Sequence, residues 1–204
     1  MKHSEQFTHK IFQVPYEAGT TVETLSKKHI ENGATSYEVF KILVELDRVH
    51  CECLLNNTDF LNGLRGFDLL VHDTVASCYV LLAEYLDILR VEIIPTPPNT
   101  PLSAKHMIPM PVSYVPYAIP GYPLTDKMTF LQRLANLGMY TVGTFFMTVA
   151  DNTKDDLKLK YNIKPERSFL EAAGKAELVL ITADFALEYP QPLLPSKYYP
   201  VIQI

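Results

Sequence analysis

Residues 67–95, "FDLLVHDTVASCYVLLAEYLDILRVEIIP", constrain the fold more than any other stretch. Residues 67–72 read as a buried strand, because apolar side chains fill nearly every position. Residues 75–87 read as a helix, and 90–95 as a second, β-branched strand. Strand, helix and strand within about 30 residues make a βαβ unit, which requires parallel pairing and a crossover. The first strand ends on His72 and Asp73, where the chain turns toward the helix. A carboxylate at that point needs an explanation.

The rest of the chain supports an α/β fold. The 204 residues suffice for one domain with a core, or for part of a larger protein. Hydrophobic residues make up 48%, which excludes a disordered chain, and a net charge of −5 gives no reason to expect nucleic-acid binding. "HKIFQV" at 9–14 suits a strand. Residues 20–33 suit a short helix with Thr20 or Thr21 as cap and Gly33 as stop. Residues 36–55 suit a longer helix, with Phe40, Leu43, Val44, Leu46 and Val49 recurring near a 3.6 period. A short helix at 58–65 follows.

Nine of the fifteen prolines fall in 95–123. That density stops helix and central strand alike. The segment also carries Met, Val, Tyr and Ile, so it reads as an ordered loop over the sheet edge. Beyond it, 125–150 reads as a long helix opened by Thr125 or Asp126. "DDLKLKYN" reads as a short helix, 165–176 as a helix with Pro165 at its first position, and 177–184 as another buried strand. The charge-free stretch 134–150 reads as a packed core helix, with an interfacial helix as the alternative. Its 17 residues would cover about 25 Å, short of the roughly 30 Å hydrocarbon core. The proline-broken end from residue 190 reads as a linker.

Few motifs carry chemistry. In open parallel sheets, ligands bind beyond the carboxyl ends of the strands, where Asp73 falls. An ionised carboxylate there can orient a histidine and stabilise its imidazolium. The plain alternative is that Asp73 only caps the following helix. His72 is a poor partner for it, since neighbours on a strand point to opposite faces. Cys51, Cys53 and Cys78 lack zinc-ligand spacing and allow at most one disulfide, so Cys78 reads as a buried thiol or a disulfide half. Asn56-Asn57-Thr58 is a glycosylation sequon, which matters only if the chain enters the secretory pathway. The N-terminus, "MKHSEQFTHKIFQVPYEAG", has no apolar h-region. No dinucleotide fingerprint, P-loop or nucleophile elbow is present.

Three stretches together resemble one family, the animal UDP-glycosyltransferases of the UDP-glucuronosyltransferase type. They are "FDLLVHDTVASCYVLLAEYLDI", "PVSYVPYAIPGYPLTDKMTFLQRLANLGMY" and "KAELVLITADFALEYPQPLLP". The first is similar to the family's strand, aspartate, cysteine and "xLAExL" helix. The second is similar to its Pro-x-x-Tyr-Val-Pro, Thr/Ser-Asp-x-Met-x-Phe and Arg-x-x-Asn run. The third is similar to the segment that closes its first domain.

The resemblance implies the N-terminal half of a GT-B fold, a Rossmann-like, mostly parallel sheet flanked by helices. Residues 1–189 would form an incomplete acceptor-binding domain and 190–204 the start of an interdomain linker. A sugar, glucuronosyl or another hexosyl, would pass from a UDP-sugar to a hydroxyl or carboxyl of a small lipophilic acceptor. Asp73 matches the aspartate that orients the family's histidine base, and Thr74, Thr96 and Tyr114 are the candidate acceptor-binding residues. The chain would bind no metal and no cofactor of its own; the UDP-sugar is the family's donor co-substrate. The resemblance also implies the endoplasmic reticulum membrane and lumen as its location, the membrane surface as a partner, and homo- or hetero-oligomers with full-length relatives.

Two departures stand against a working enzyme. No histidine here sits in the family's catalytic motif, which falls upstream, and the donor signature is absent after "PLLP". Ser77 also stands where the family often has proline. The chain alone is therefore expected to be inactive. The alternatives are a non-enzymatic partner that modulates full-length glycosyltransferases, or a fragment with no independent role.

Overall fold

The computed structural model describes residues 27, 31–97, 99–100, 105–118, 124–182, 188–192, 194 and 197–198. The expected strand at 9–14 and most of the helix expected at 20–33 lie outside them. The chain divides into two compact units, Met1–Gly66 and Phe67–Ile204.

Among its described residues, the first unit holds α1 (Ser36–Asn56) and α2 (Thr58–Asn62), and residues 27 and 31 are also helical. Thr35 and Glu38 close a capping box at the start of α1, with the Thr35 N–H donating to the Glu38 carboxylate at 2.7 Å. Asn57 separates the helices, and its side-chain oxygen accepts from the Phe60 N–H at 2.9 Å, so it caps α2. Cys51, Leu54, Leu55 and Leu61 are buried.

The second unit is built on a four-stranded, all-parallel sheet in the order β1 (Leu69–Asp73), β2 (Leu89–Ile94), β3 (Leu178–Ile181), β4 (Lys197–Tyr198). The βαβ reading of 67–95 holds: α3 (Cys78–Leu86) connects β1 to β2, and Leu69 to Asp73 pair in register with Leu89 to Ile93. The two-residue β4 lies in the stretch read as the start of a linker. Among the described residues, three further helices follow β2: α4 (Phe130–Asn152), α5 (Asp155–Lys160) and α6 (Phe169–Gly174).

Several boundaries differ from the sequence reading, each for a local reason. α4 starts five residues late because Thr129 and Gln132, not Thr125 or Asp126, form the capping box. α6 starts at Phe169, not at Pro165, because Ser168 and Glu171 form another. α3 starts at Cys78 rather than Val75, since residues 74–77 form turns.

The first strand is not buried on both faces. His72, Arg90, Glu92, Ile94, Val179 and Ile181 point to a closed face, whereas Leu69, Val71 and Leu89 are each about half exposed on the other. Unbroken apolar runs carry no period, so the sequence could not reveal the difference. α4 is likewise not packed all round: Leu131, Leu134, Val142, Phe145 and Val149 form an exposed apolar stripe along one helical face, interrupted at Gly138. No helix among the described residues is long and apolar enough to cross a membrane.

Side chains outside the sheet lock the helices together. Glu84 of α3 accepts from Arg167 at 2.7 Å and pairs with the buried Lys158 of α5. Gly143 lets the buried Tyr117 reach α4: a Cβ there would lie 2.5 Å from the Tyr117 hydroxyl and 2.8 Å from a ring carbon. Helix propensity alone would make Gly143→Ala stabilising by up to about 1 kcal/mol. We expect the reverse, a loss of about 1–3 kcal/mol, because overpacking dominates. Gly138→Ala, with nothing within 4 Å of the added Cβ, should stabilise instead. Urea unfolding of both variants checks the pair; equal effects would remove the Tyr117 argument.

Candidate functional site

The carboxyl ends of β1 and β2 lie side by side because the two strands are parallel and in register. Asp73 closes β1 with an exposed side chain. It does not cap α3, which begins five residues later. Its Oδ1 instead accepts from the Val75 N–H at 2.7 Å, an Asx turn that fixes one carboxylate oxygen and leaves the other open. Thr74 donates its N–H to the Ile93 carbonyl at 2.8 Å, which ties this turn to β2. Thr74 is buried, and its hydroxyl has no hydrogen-bond partner among the described residues.

Thr96 stands just beyond β2, with its hydroxyl 3.1 Å from that of Thr100. Asp73, Thr74 and Thr96 thus share one end of the sheet. Tyr114, part exposed, belongs to a turn over 111–115, where its N–H donates to the Pro111 carbonyl. That turn is anchored elsewhere, on α4. Asn136 of α4 is fully buried; its amide donates to the Val112 and Val115 carbonyls at 2.8 and 2.9 Å, and its oxygen accepts from the Tyr117 N–H at 2.7 Å. The described part of the proline-rich loop is therefore ordered. Asn99 adds a clasp, donating to the Pro116 carbonyl at 2.8 Å and accepting from the Ala118 N–H at 2.9 Å.

Beneath this end of the sheet lies a buried ion cluster that the sequence reading did not find. The Glu92 carboxylate accepts from Arg90 at 2.6 Å, Lys105 at 2.8 Å and His106 at 3.1 Å. Burial alone would push Glu92 up, but the hydrogen bond from His106 and the charge of Lys105 hold its carboxyl far below the usual carboxylate range. Arg90 turns its other nitrogen to the Ala172 and Ala173 carbonyls at the end of α6. Lys105 also reaches the Thr74 carbonyl at 3.4 Å, so the cluster touches the turn that carries Asp73. A signal existed in "LRVEII": opposite charges two apart on one strand share a face, so inside a buried strand they announce a buried pair.

The pleat sends His72 away from the Asp73 carboxylate, as expected. The His72 ring is buried, with Nδ1 2.9 Å from the Asp73 backbone carbonyl and Nε2 3.3 Å from an Arg90 nitrogen. Those partners require a neutral imidazole that donates from Nδ1 and accepts at Nε2. Cys51 and Cys78 are both disulfide-bonded and Cys53 is a free thiol, which decides the alternatives for Cys78. Among the described residues no group of His, Cys, Asp and Glu could hold a metal ion.

A family model described as "UDP-glucoronosyl and UDP-glucosyl transferase" matches residues 2–201. The chain belongs to the UDP-glycosyltransferase family. It is 29% identical to human UDP-glucuronosyltransferase 1A6, over 98% of this chain and 39% of the relative. It is 31% identical to the mouse protein of that name, over 96% of this chain and 38% of the relative. It is also 31% identical to human 2-hydroxyacylsphingosine 1-beta-galactosyltransferase, over 81% of this chain and 30% of the relative. The chain thus spans at most about two-fifths of the length of these relatives. No solved structure matches it. Within the family, the fold is the expected Rossmann-like half, with a parallel sheet flanked by helices.

His72 gives this site a pH dependence. Burial holds its pKa below the ordinary histidine value, against the opposing pull of the Asp73 carbonyl and the Glu92 charge. The folded chain then binds a proton less readily than the unfolded chain. Stability should be fully present above about pH 6.5 and decline as the pH falls from there toward the folded value. Urea midpoints between pH 7.5 and 5 should show this decline, reduced in His72→Gln. An undiminished decline in the variant would move the effect to other groups, such as the partly buried His50, whose pKa burial also lowers.

Proposed function

We propose that this chain is the acceptor-binding half of a UDP-glycosyltransferase, serving transfer of a glucuronosyl or other hexosyl group from a UDP-sugar to a hydroxyl or carboxyl of a small lipophilic acceptor. The observation that carries this is Asp73: an exposed carboxylate, pinned by an Asx turn at the carboxyl end of a parallel strand, in a chain of this family. In this reading Asp73 orients a histidine that takes the acceptor proton and balances the imidazolium that results. That histidine and the donor half come from outside these 204 residues, so the chain alone transfers no sugar. Thr74, Thr96 and Tyr114 contact the acceptor; the unpartnered Thr74 hydroxyl supports a polar role there.

The test uses this chain joined to the histidine segment and donor half of a relative such as human UDP-glucuronosyltransferase 1A6. Asn at position 73 keeps the oxygen that accepts from Val75, so the turn and the melting midpoint should survive. Asn cannot balance an imidazolium and favours the wrong tautomer. Asp73→Asn should therefore lower turnover by about 10⁴-fold, as in triads with the same logic. A variant that keeps most of its activity would overturn the assignment of Asp73.

We also place the chain at the lumenal surface of the endoplasmic reticulum membrane. Two features support this: the exposed stripe on α4, and the disulfide-bonded cysteines, which suit an oxidising compartment. The chain should float with phospholipid vesicles, and Leu134→Glu with Phe145→Glu should release it. Full recovery of the unaltered chain in the soluble fraction would exclude this placement.

A further inference from the structure

We propose that Asn56 is an N-glycosylation site, modified while the chain matures in an oxidising lumen. Two independent observations carry it. The first is the sequon and its setting. Asn56-Asn57-Thr58 is the one Asn-x-Ser/Thr triplet in the 204 residues. The structure places it at the corner between α1 and α2, where the backbone of Asn57 (φ −86°, ψ 85°) leaves the helix. Asn56 and Thr58 are both exposed. A bulky, solubilising glycan requires such a position, and a sequon within a buried helix face would exclude it. The second observation is the disulfide state of Cys51 and Cys78. Disulfides form and persist in compartments of the secretory route and are rare in the cytosol. The same route carries out sequon glycosylation, so chemistry elsewhere in the chain agrees with the motif.

The transfer needs one co-reactant, an oligosaccharide linked through pyrophosphate to a membrane lipid. The Asn56 side-chain nitrogen attacks the anomeric carbon of the first sugar. A new N–C bond forms, the C–O bond to the pyrophosphate breaks, and the lipid pyrophosphate leaves with the bonding pair. One amide proton is lost to a base, and nothing is oxidised or reduced. The Thr58 hydroxyl is the second element the sequon supplies, two residues on and on the same exposed corner.

The geometry also supplies clean variants. Asn57, not Asn56, caps α2 through its side chain. Asn56→Gln therefore removes the acceptor nitrogen's position without touching the cap. Thr58→Ala places a good helix former at the first position of α2. Thr58→Ser keeps the hydroxyl.

The experiment directs the full chain into microsomes or cells behind a cleavable secretory leader and analyses only protease-protected material. The unaltered chain should run as a larger species that collapses to the unmodified size on treatment with peptide-N-glycosidase. Asn56→Gln and Thr58→Ala should each lose the larger species completely, and Thr58→Ser should retain it. A protected, unaltered chain that runs only as a glycosidase-insensitive species overturns the proposal. So does a glycosidase-sensitive species that persists in Asn56→Gln. This outcome is separate from the transferase reading, since the glycosidase-sensitive shift is read on the chain itself and needs no sugar transfer at Asp73.

Discussion

The Glu92 carboxylate is the point on which the second unit's arrangement depends. It is fully buried at the middle of β2, and an isolated charge there would cost far more than a domain's whole stability margin. It persists because three side chains converge on it: Arg90 from its own strand, and Lys105 and His106 from the chain beyond the proline-rich start of the loop. The second cation does not go uncompensated, since Arg90 meets the Ala172 and Ala173 carbonyls at the end of α6. Replacing such a cluster with packed apolar groups is often neutral or better, whereas removing a single member costs about 3–5 kcal/mol. Its contribution is therefore to specify one arrangement of sheet, helix and loop more than to add net stability.

The proline-rich loop shows what that specification does. A segment this long without regular structure would ordinarily be mobile. Here its described residues are held at separated points: Lys105 and His106 on Glu92, Asn99 on the backbone near Pro116, and Asn136 on the backbone of residues 112–117. The Asn99 and Asn136 anchors use a side chain to satisfy main-chain groups that have no strand or helix partner, which buried backbone requires. The prolines assist from the unfolded side, because a chain with fixed φ angles has fewer conformations to lose. Tyr117 completes the seam by lying against Gly143, where any larger residue would push it away.

How much of this was legible in the sequence follows from what each signal encodes. The βαβ unit was legible because two short apolar runs, the second β-branched, flank a helix-length segment within 67–95. Which face of β1 is closed was not, because Leu69, Leu70 and Val71 are equally apolar and only tertiary context distinguishes them. The start of α4 was misplaced because Thr125 and Asp126 are cap-type residues as well, whereas Thr129 has Gln132 in position to reciprocate. The Asp73 position was found, and the alternative that it only caps the following helix fails, because that helix begins five residues later. A cap and an Asx turn use the same residue type and differ only in where the helix begins. Asn136 was visible as part of a motif, yet the loop backbone it holds lies some 20 residues earlier and no local pattern links the two.

The pleat of β1 settles a further question about charge. Lys105 comes close to the end of the sheet, where it reaches the Thr74 carbonyl at 3.4 Å, and Arg90 stands on the neighbouring strand opposite Leu70. They are directed instead to the closed face, where Glu92 and His72 point, while Asp73 points to the open one. Asp73 accordingly forms no salt bridge among the described residues, and its partner is the uncharged Val75 N–H. A single-residue slip of register would exchange the two faces, bringing Asp73 among the cations and His72 into the open. The buried cluster, by fixing that register, keeps two kinds of electrostatics apart. Below the sheet, opposite charges are spent on each other. At its end, one carboxylate remains free for a cation that forms only during a reaction, the role proposed for Asp73.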